Sequence, residues 1–402
     1  MSAITFLIAQ IAIFSAIAEG QAYLNPPGTQ PHLKPSDEML FASSSPHSDI
    51  ACVVTPVKPK LELDFQFHSG FRVSIPARDL ELDRFQDRLT VVFRVIPERS
   101  GDPVYMFEQM RIPTRGDAPK GTIEFDGSFL LREGRYHVDW ILRNRSDHVC
   151  TSSWDIEAKL GPKETQLKAW TGSASIKPVE SDLFAERTPP ILREPDPVNV
   201  DVIANFGPRD PSLSVIDPID VQGVVSILRQ LGRDPTVNIQ SSLACSIVGH
   251  RILQELTSGG IDFRAVGASL KALKLGVVDA KELGTKDSAA MFAARVIHDV
   301  TLNSNSEALI VVGPRMNVEA GAREISEALK DSGRPVFYLS YDSGSLTIPW
   351  RDSLGRGVKQ AHGIEYGIST PLDLFSAWSD VLTRILKARR QVHSGGGNNP
   401  PY

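Results

Sequence analysis

A proline-broken stretch near the middle of the chain, Thr188-Pro189-Pro190 and then Glu194-Pro195-Asp196-Pro197, constrains the fold more than any other feature. Proline removes a backbone donor and biases the preceding residue away from the helical region, so neither a helix nor a central strand is expected to run through it. The hydrophobic pattern changes period across this stretch. Upstream, apolar residues recur at every second position; downstream, short apolar runs alternate with helical spacing. Two domains joined by an extended linker are expected, since 402 residues exceed one ordinary core.

In the upstream half, Leu61, Leu63, Phe65 and Phe67 alternate with Glu62, Asp64 and Gln66, a half-buried strand pattern. Further strands are expected at Phe71 to Ile75, Leu89 to Ile96, Val104 to Ile112, Thr122 to Leu131, Tyr136 to Leu142 and Val149 to Ile156. Seven short strands parted by turn signals predict an all-β, immunoglobulin-like antiparallel sandwich over 50–160. Gly134-Arg135-Tyr136 resembles a tyrosine corner, in which a Tyr hydroxyl ties a strand start to nearby backbone.

The downstream half, 198–390, alternates strand and helix signals. Val198 to Phe206 and Ala308 to Val312 are apolar strands, and Asp217-Pro218 supplies an N-cap and a first-turn proline for a helix to about Leu231. Two strands within Thr236 to Thr257 turn near Val248-Gly249-His250. Helices follow from Asp262, over Asp287 to Asn303, over Val318 to Lys330, and after Thr370-Pro371, with strands at Pro335 to Tyr341 and Ile364 to Ile368. This alternation predicts an α/β domain with a mostly parallel sheet.

The ends carry their own signals. Ile4 to Ala18 is apolar apart from Thr5, Gln10 and Ser15, and small residues follow it. This reads as an export signal over 1–22, cleaved after Ala22 or, as a second position, after Ala18. The run is shorter than the roughly 20 residues of a membrane span, so no transmembrane segment is expected. Residues 23–49 are rich in proline and serine and read as a disordered lead-in; 161–197 is the linker and 391–402 a disordered tail. Export places the chain in a periplasmic or secreted, oxidising setting. There Cys52 and Cys150, which bracket the first domain, are expected to form a disulfide, leaving Cys245 as a small buried thiol. A net charge of −5 gives no strong field for polyanions, and nucleic acid is not an expected partner.

Val198 to Phe206, Ala308-Leu309-Ile310-Val311-Val312-Gly313-Pro314, Val336-Phe337-Tyr338 and Gly367 to Ile385, together with Arg135 to Trp140 and Cys150, resemble the exported von Willebrand factor type A-related proteins of acidobacteria. The resemblance implies a type A (Rossmann-type) fold with a metal-ion-dependent adhesion site. That site uses Asp-x-Ser-x-Ser after the first strand, and magnesium requires such hard oxygen ligands. Here Asn205-Phe206-Gly207-Pro208-Arg209 stands in its place, and Gly313-Pro314-Arg315 follows the Ala308 strand where an Asp is usual. A degenerate site holding no metal is therefore expected.

No cofactor loop, no nucleophile elbow and no His-rich metal motif occurs in the sequence, so neither catalytic residues nor a cofactor are expected. The expected function is non-catalytic binding or scaffolding through contacts with another exported or envelope protein. The candidate binding edge is Asn205, Arg209, Asp210, Arg315 and Asp342, where two arginines can receive a carboxylate. Metal-dependent adhesion through altered ligands and a hydrolase with a loop-built site are the alternatives.

Overall fold

A computed structural model of the chain describes residues 14–15, 17–24, 33–43, 47–77, 87–99, 101–112, 121–169, 176–179, 182–185, 192–210, 213, 216–272, 288–302, 304–316, 321–344 and 351–395. The chain divides into two compact units, 1–181 and 182–402.

The first unit contains, in chain order, β1 (Phe14–Ser15), β2 (Ile17–Tyr23), helix α1 (Pro35–Ala42), β3 (Val53–Leu61), β4 (Phe67–Pro76), β5 (Asp87–Pro97), β6 (Val104–Ile112), β7 (Thr122–Leu131), β8 (Gly134–Arg143), β9 (Val149–Ala158) and β10 (Lys177–Pro178). One sheet runs β1-β7-β4-β3 with β10 also on β7; the other runs β2-β6-β5-β8-β9. Pairing is antiparallel except for the two-residue β1 against β7. Alternate side chains (Phe71, Val73 and Ile75 of β4; Leu89, Val91, Phe93 and Val95 of β5) are buried, as period two requires. Phe71 meets Phe93 and Trp140 of the other sheet edge-on, with ring centroids 5.5 Å apart, so aromatic contacts lock sheet to sheet. Gly127 lies directly across the ladder from Phe71, and any Cβ there would strike that ring. The cysteines Cys52 and Cys150 are joined in a disulfide, and Cys245 is a free, buried thiol.

Two expectations for this unit need correction. The alternation at 61–67 is not one strand. Leu61 ends β3 and Phe67 begins β4; Phe65 N–H donates to Glu62 O at 2.8 Å, and Asp64 accepts from Gln66 N–H at 3.1 Å. Phe65 takes a left-handed φ of 58°. The aromatic is nonetheless buried with Leu61, Leu63 and Phe67, so burial keeps the alternation that the backbone abandons. Within the expected lead-in, 35–42 is helix α1, held by buried Phe41, by Arg94, which donates to Phe41 O at 2.7 Å, and by the Arg143–Asp37 ion pair. Proline-rich composition conceals this because Pro35 sits in the first turn, where proline is tolerated.

The second unit contains β11 (Val198–Asn205), α2 (Pro218–Arg233), β12 (Val237–Ser246), β13 (Arg251–Ser258), α3 (Phe263–Ala272), α4 (Ser288–Thr301), β14 (Ala308–Pro314), α5 (Ala322–Asp331), β15 (Val336–Tyr341), α6 (Ser353–Gln360), β16 (Ile364–Ile368) and α7 (Pro371–Gly395). Its sheet runs β13-β12-β11-β14-β15-β16 and is mixed, with β13 antiparallel on β12. β14 and β15 are buried along their whole length, because both faces are covered. At the amino-terminal strand ends, fully buried Asp201 accepts from Ser241, Ser306 and Arg334 at 2.6, 2.7 and 3.0 Å. Asp217 caps α2 by accepting from Ile219 N–H at 2.8 Å.

The expected layout of an immunoglobulin-like sandwich plus a type A-like domain with a mostly parallel sheet is not what the chain adopts. Two of the three sheets are antiparallel in the main, carry the added strands β1, β2 and β10, and the third is mixed. Periodicity identifies strands but not their partners: β2 lies in the expected export signal, and β13 returns on β12 through the turn at 247–250, where His250 has a φ of 48°. Among the described residues no helix is long and apolar enough to cross a membrane.

Candidate functional site

The carboxyl ends of β11, β14 and β15 bring Asn205, Arg209, Arg315 and Asp342 to one edge of the mixed sheet. Asn205 ends β11 and is wholly buried. Its Oδ1 accepts from the N–H groups of Gly207 and Ile247, each at 3.0 Å, and its Nδ2 lies 3.3 Å from the Met316 sulfur. It ties three loops together and offers nothing outward. Gly313 must lack a side chain here, since a Cβ would sit 2.8 Å from that of Asn205.

Arg209 is also buried. Its Nε and one terminal nitrogen donate to the two Asp220 oxygens at 2.6 Å each, and its other terminal nitrogen donates to Asp342 at 3.0 Å. Burial disfavours the guanidinium charge, but hydrogen bonds and attraction from Asp220, then Asp342, more than offset it and raise its pKa. Asp210 is exposed on the following loop. Arg209 and Asp342 therefore hold the edge together, and the surface passes to their neighbours.

Arg315 continues the network outward. Its guanidinium lies 3.9 Å from Asp342 and 3.6 Å from Glu365 of β16, and Arg351 Nε donates to Glu365 at 2.7 Å. Arg315, Arg351, Arg356, Lys359, Gln360, Glu365 and Gly367 line an open cleft of about 680 Å³. Among the described lining residues four are cations and one is a carboxylate. Counting the buried Arg209, Asp220, Asp342 and Asp352 behind it gives, among the described residues, five cations and four carboxylates, an excess of one positive charge. Asp352 holds α6 in place: it is fully buried and accepts from Met316 N–H at 2.9 Å and Gly355 N–H at 2.7 Å, with Tyr338 Oη at 3.2 Å. Burial raises the Asp352 pKa, against the two N–H bonds, and pushes the Tyr338 phenol well above its ordinary value.

Sequence reasoning reached Arg315 but missed Arg351, Arg356 and Lys359, because it expected no helix over 353–360, and it missed Glu365, which stands on an expected strand, because nothing local marks its approach to Arg315 and Arg351. Gly355 and Gly357 lower helix propensity, yet each has a packing reason. A Cβ at Gly355 would lie 2.7 Å from Glu365 Oε2, and one at Gly357 would lie 2.6 Å from Ile325 Cγ2. The Asp352 N-cap was the available signal.

A second cleft, about 620 Å³, lies in the first unit beside Tyr136, whose hydroxyl donates to Arg132 O at 2.8 Å in the manner of a tyrosine corner. Its charges are mixed, and Arg135 is paired with Glu157 at 3.3 Å. Among the described residues no three His, Cys, Asp or Glu side chains converge as metal ligands would.

No family model matches the chain, and no curated protein matches it. Among solved structures it has a likeness to the ApaA protein from Bordetella pertussis, with a TM-score of 0.17 and 11% identity over 29% of this chain and 98% of that one. A glycosyl hydrolase family 2 member from Bacteroides cellulosilyticus DSM 14838 gives a TM-score of 0.18 and 9% identity over 80% of this chain, which spans 39% of the hydrolase's length. A beta-glucosidase from Kluyveromyces marxianus gives 0.16 and 14% over 28% of this chain and 14% of that one. At these scores the likenesses define neither fold nor function.

Proposed function

We propose that this chain is an exported, non-catalytic binding or scaffolding protein, and that the cleft at Arg315, Arg351, Arg356 and Lys359 receives acidic side chains of a protein partner. The observation that carries the reading is the lining of the cleft, where four of the described side chains, Arg315, Arg351, Arg356 and Lys359, are cationic and one, Glu365, is a carboxylate. Guanidinium groups suit carboxylates because their paired donors match both oxygens. Arg351 is half exposed and Lys359 is exposed, so a partner carboxylate reaches them without breaking the buried Arg209 network. Export is supported by the apolar run Ile4 to Ala18 and by the disulfide, a bond that persists in oxidising compartments.

The test is comparative cross-linking in the envelope fraction. Wild-type chain should capture a partner through an acidic segment, and Arg351→Glu/Lys359→Glu should lose it. Equal capture by both would remove the cleft from the account.

A further inference from the structure

The edge strand β2 lies within the segment read as an export signal. It pairs antiparallel with β6 in the register Ile17↔Arg111, Ala18↔Met110, Glu19↔Gln109, Ala22↔Phe107 and Tyr23↔Met106, with a bulge at Gly20-Gln21. Opposite that bulge stands Glu108. It shares the inward face of β6 with Met106 and Met110 and is only 4% exposed. A carboxylate so placed is costly unless it is hydrogen-bonded. Gln21 Nε2 donates to it at 2.9 Å, while Gln21 Oε1 is buried and, among the described residues, finds no hydrogen-bond partner. The strand that covers this edge thus gives Glu108 one hydrogen bond while its own amide oxygen stays unmatched among the described residues.

Cleavage after Ala22 removes the whole of β2 except Tyr23. The new terminus stays pinned, since Leu24 N–H donates to Tyr105 O at 2.9 Å and Tyr23 Oη donates to Ile176 O at 3.2 Å. Residues 106–111 of β6 then present open backbone groups, which is a template for strand addition. Cleavage after Ala18 instead leaves Gln21 on Glu108.

We propose that the β6 edge is a strand-acceptor site, opened by cleavage after Ala22 and filled by an extended segment of a partner protein that sets an ammonium or amide group opposite Glu108. The inference rests on the export reading but not on the cationic cleft. Charge complementarity selects the occupant. A second copy adding its own β6 about a twofold axis through residue 108 sets carboxylate against carboxylate, and like-charge pairing of this kind discriminates against a wrong partner. A lysine satisfies Glu108 without leaving an orphaned carbonyl, so it suits the site better than the resident glutamine.

The experiment uses the exported, processed chain, its N-terminus read by mass spectrometry and its disulfide confirmed. The probe is a synthetic peptide of residues 14–22, Phe-Ser-Ala-Ile-Ala-Glu-Gly-Gln-Ala. The backbone amides of 106–111 facing the vacated position should exchange quickly in the chain alone and become protected on adding peptide. A Gln21→Glu peptide should bind about tenfold more weakly and a Gln21→Lys peptide more tightly, and Glu108→Gln in the chain should erase both differences. Unprotected amides at saturating peptide, or equal affinity of the Gln and Glu peptides, would overturn the acceptor site while leaving export intact. A mature terminus at Met1 or Glu19 with 106–111 already protected would overturn it by showing that the edge keeps its own strand, and there the predicted cleavage is what fails.

Discussion

The guanidinium of Arg209 meets the Asp220 carboxylate side-on, through two hydrogen bonds of 2.6 Å each. Both groups are buried, and Asp342 accepts from the remaining arm at 3.0 Å. The two residues stand 11 positions apart in sequence, across the loop between β11 and α2. A residue expected to face a partner is instead the pin that shapes the edge.

Arg209→Met should therefore act on stability. Removing one member of a buried pair strands the other charges, which costs about 3–5 kcal/mol. Arg315→Ala, which leaves Arg351 on Glu365 at 2.7 Å and Arg209 on Asp342 at 3.0 Å, should cost less than Arg209→Met. Urea unfolding of the two variants checks this. Equal small losses would mean that Arg209 is not the pin.

The disulfide closes a sequence separation of 98 residues within the first unit. Cys52→Ser should destabilise that unit by about 2–5 kcal/mol. The melting of 182–402 should stay unchanged. Non-reducing peptide mapping should find Cys52 linked to Cys150 and Cys245 slow to alkylate until unfolding, since burial pushes that thiol up to about 12.

His137 carries a pH signature. Its Nδ1 lies 2.7 Å from Asp155 and its Nε2 3.1 Å from Asp139, which is also held by Arg94 at 2.7 Å. Burial lowers its pKa, but the two carboxylates outweigh that and the pKa rises above 6.5. A raised folded pKa means that the native state binds the proton more tightly than the unfolded chain. The stabilisation is then fully present below about 6.5 and is lost as pH rises through the folded value. The stability difference between wild type and His137→Gln should shrink over that window; a difference that grows with pH would reverse the assignment.

Divalent cations should leave the melting temperature unchanged at the Asn205 edge. Asn205 Oδ1 already accepts two N–H groups, and Asp342 already receives Arg209 and Gly344 N–H. A magnesium ion needs oxygen ligands free to turn toward it. A clear upward shift with millimolar magnesium, abolished in Asp210→Ala, would restore metal-dependent adhesion.

How far the sequence is legible follows from range. Local signals hold: the Asp217-Pro218 helix start and the turn at 247–250 are where spacing and turn chemistry place them. The tyrosine corner at Gly134-Arg135-Tyr136 and the Cys52–Cys150 pairing are likewise present. Pairing between strands distant in sequence is not written in period two, so the sheet order and its mixed character were missed. At the site, Arg315 was legible because it follows an unmistakable apolar strand. Arg351 and Lys359 were not, since Gly355 and Gly357 lower the helix signal of α6 for close approaches that only the fold reveals, and Glu365 was not, since its meeting with Arg315 and Arg351 joins segments distant along the chain.

The central claim, that the cleft of Arg315, Arg351, Arg356 and Lys359 receives carboxylates, is tested most directly by titrating hexaglutamate into the chain by calorimetry. Binding should appear at low ionic strength, weaken as salt rises, and fall about tenfold or more in Arg351→Ala/Lys359→Ala. The paired variant should stay folded with a small loss of melting temperature, because Lys359 is exposed and Glu365, which loses Arg351, still has Arg315 at 3.6 Å. No heat at millimolar peptide, or the same affinity and salt dependence in the variant, would contradict the account.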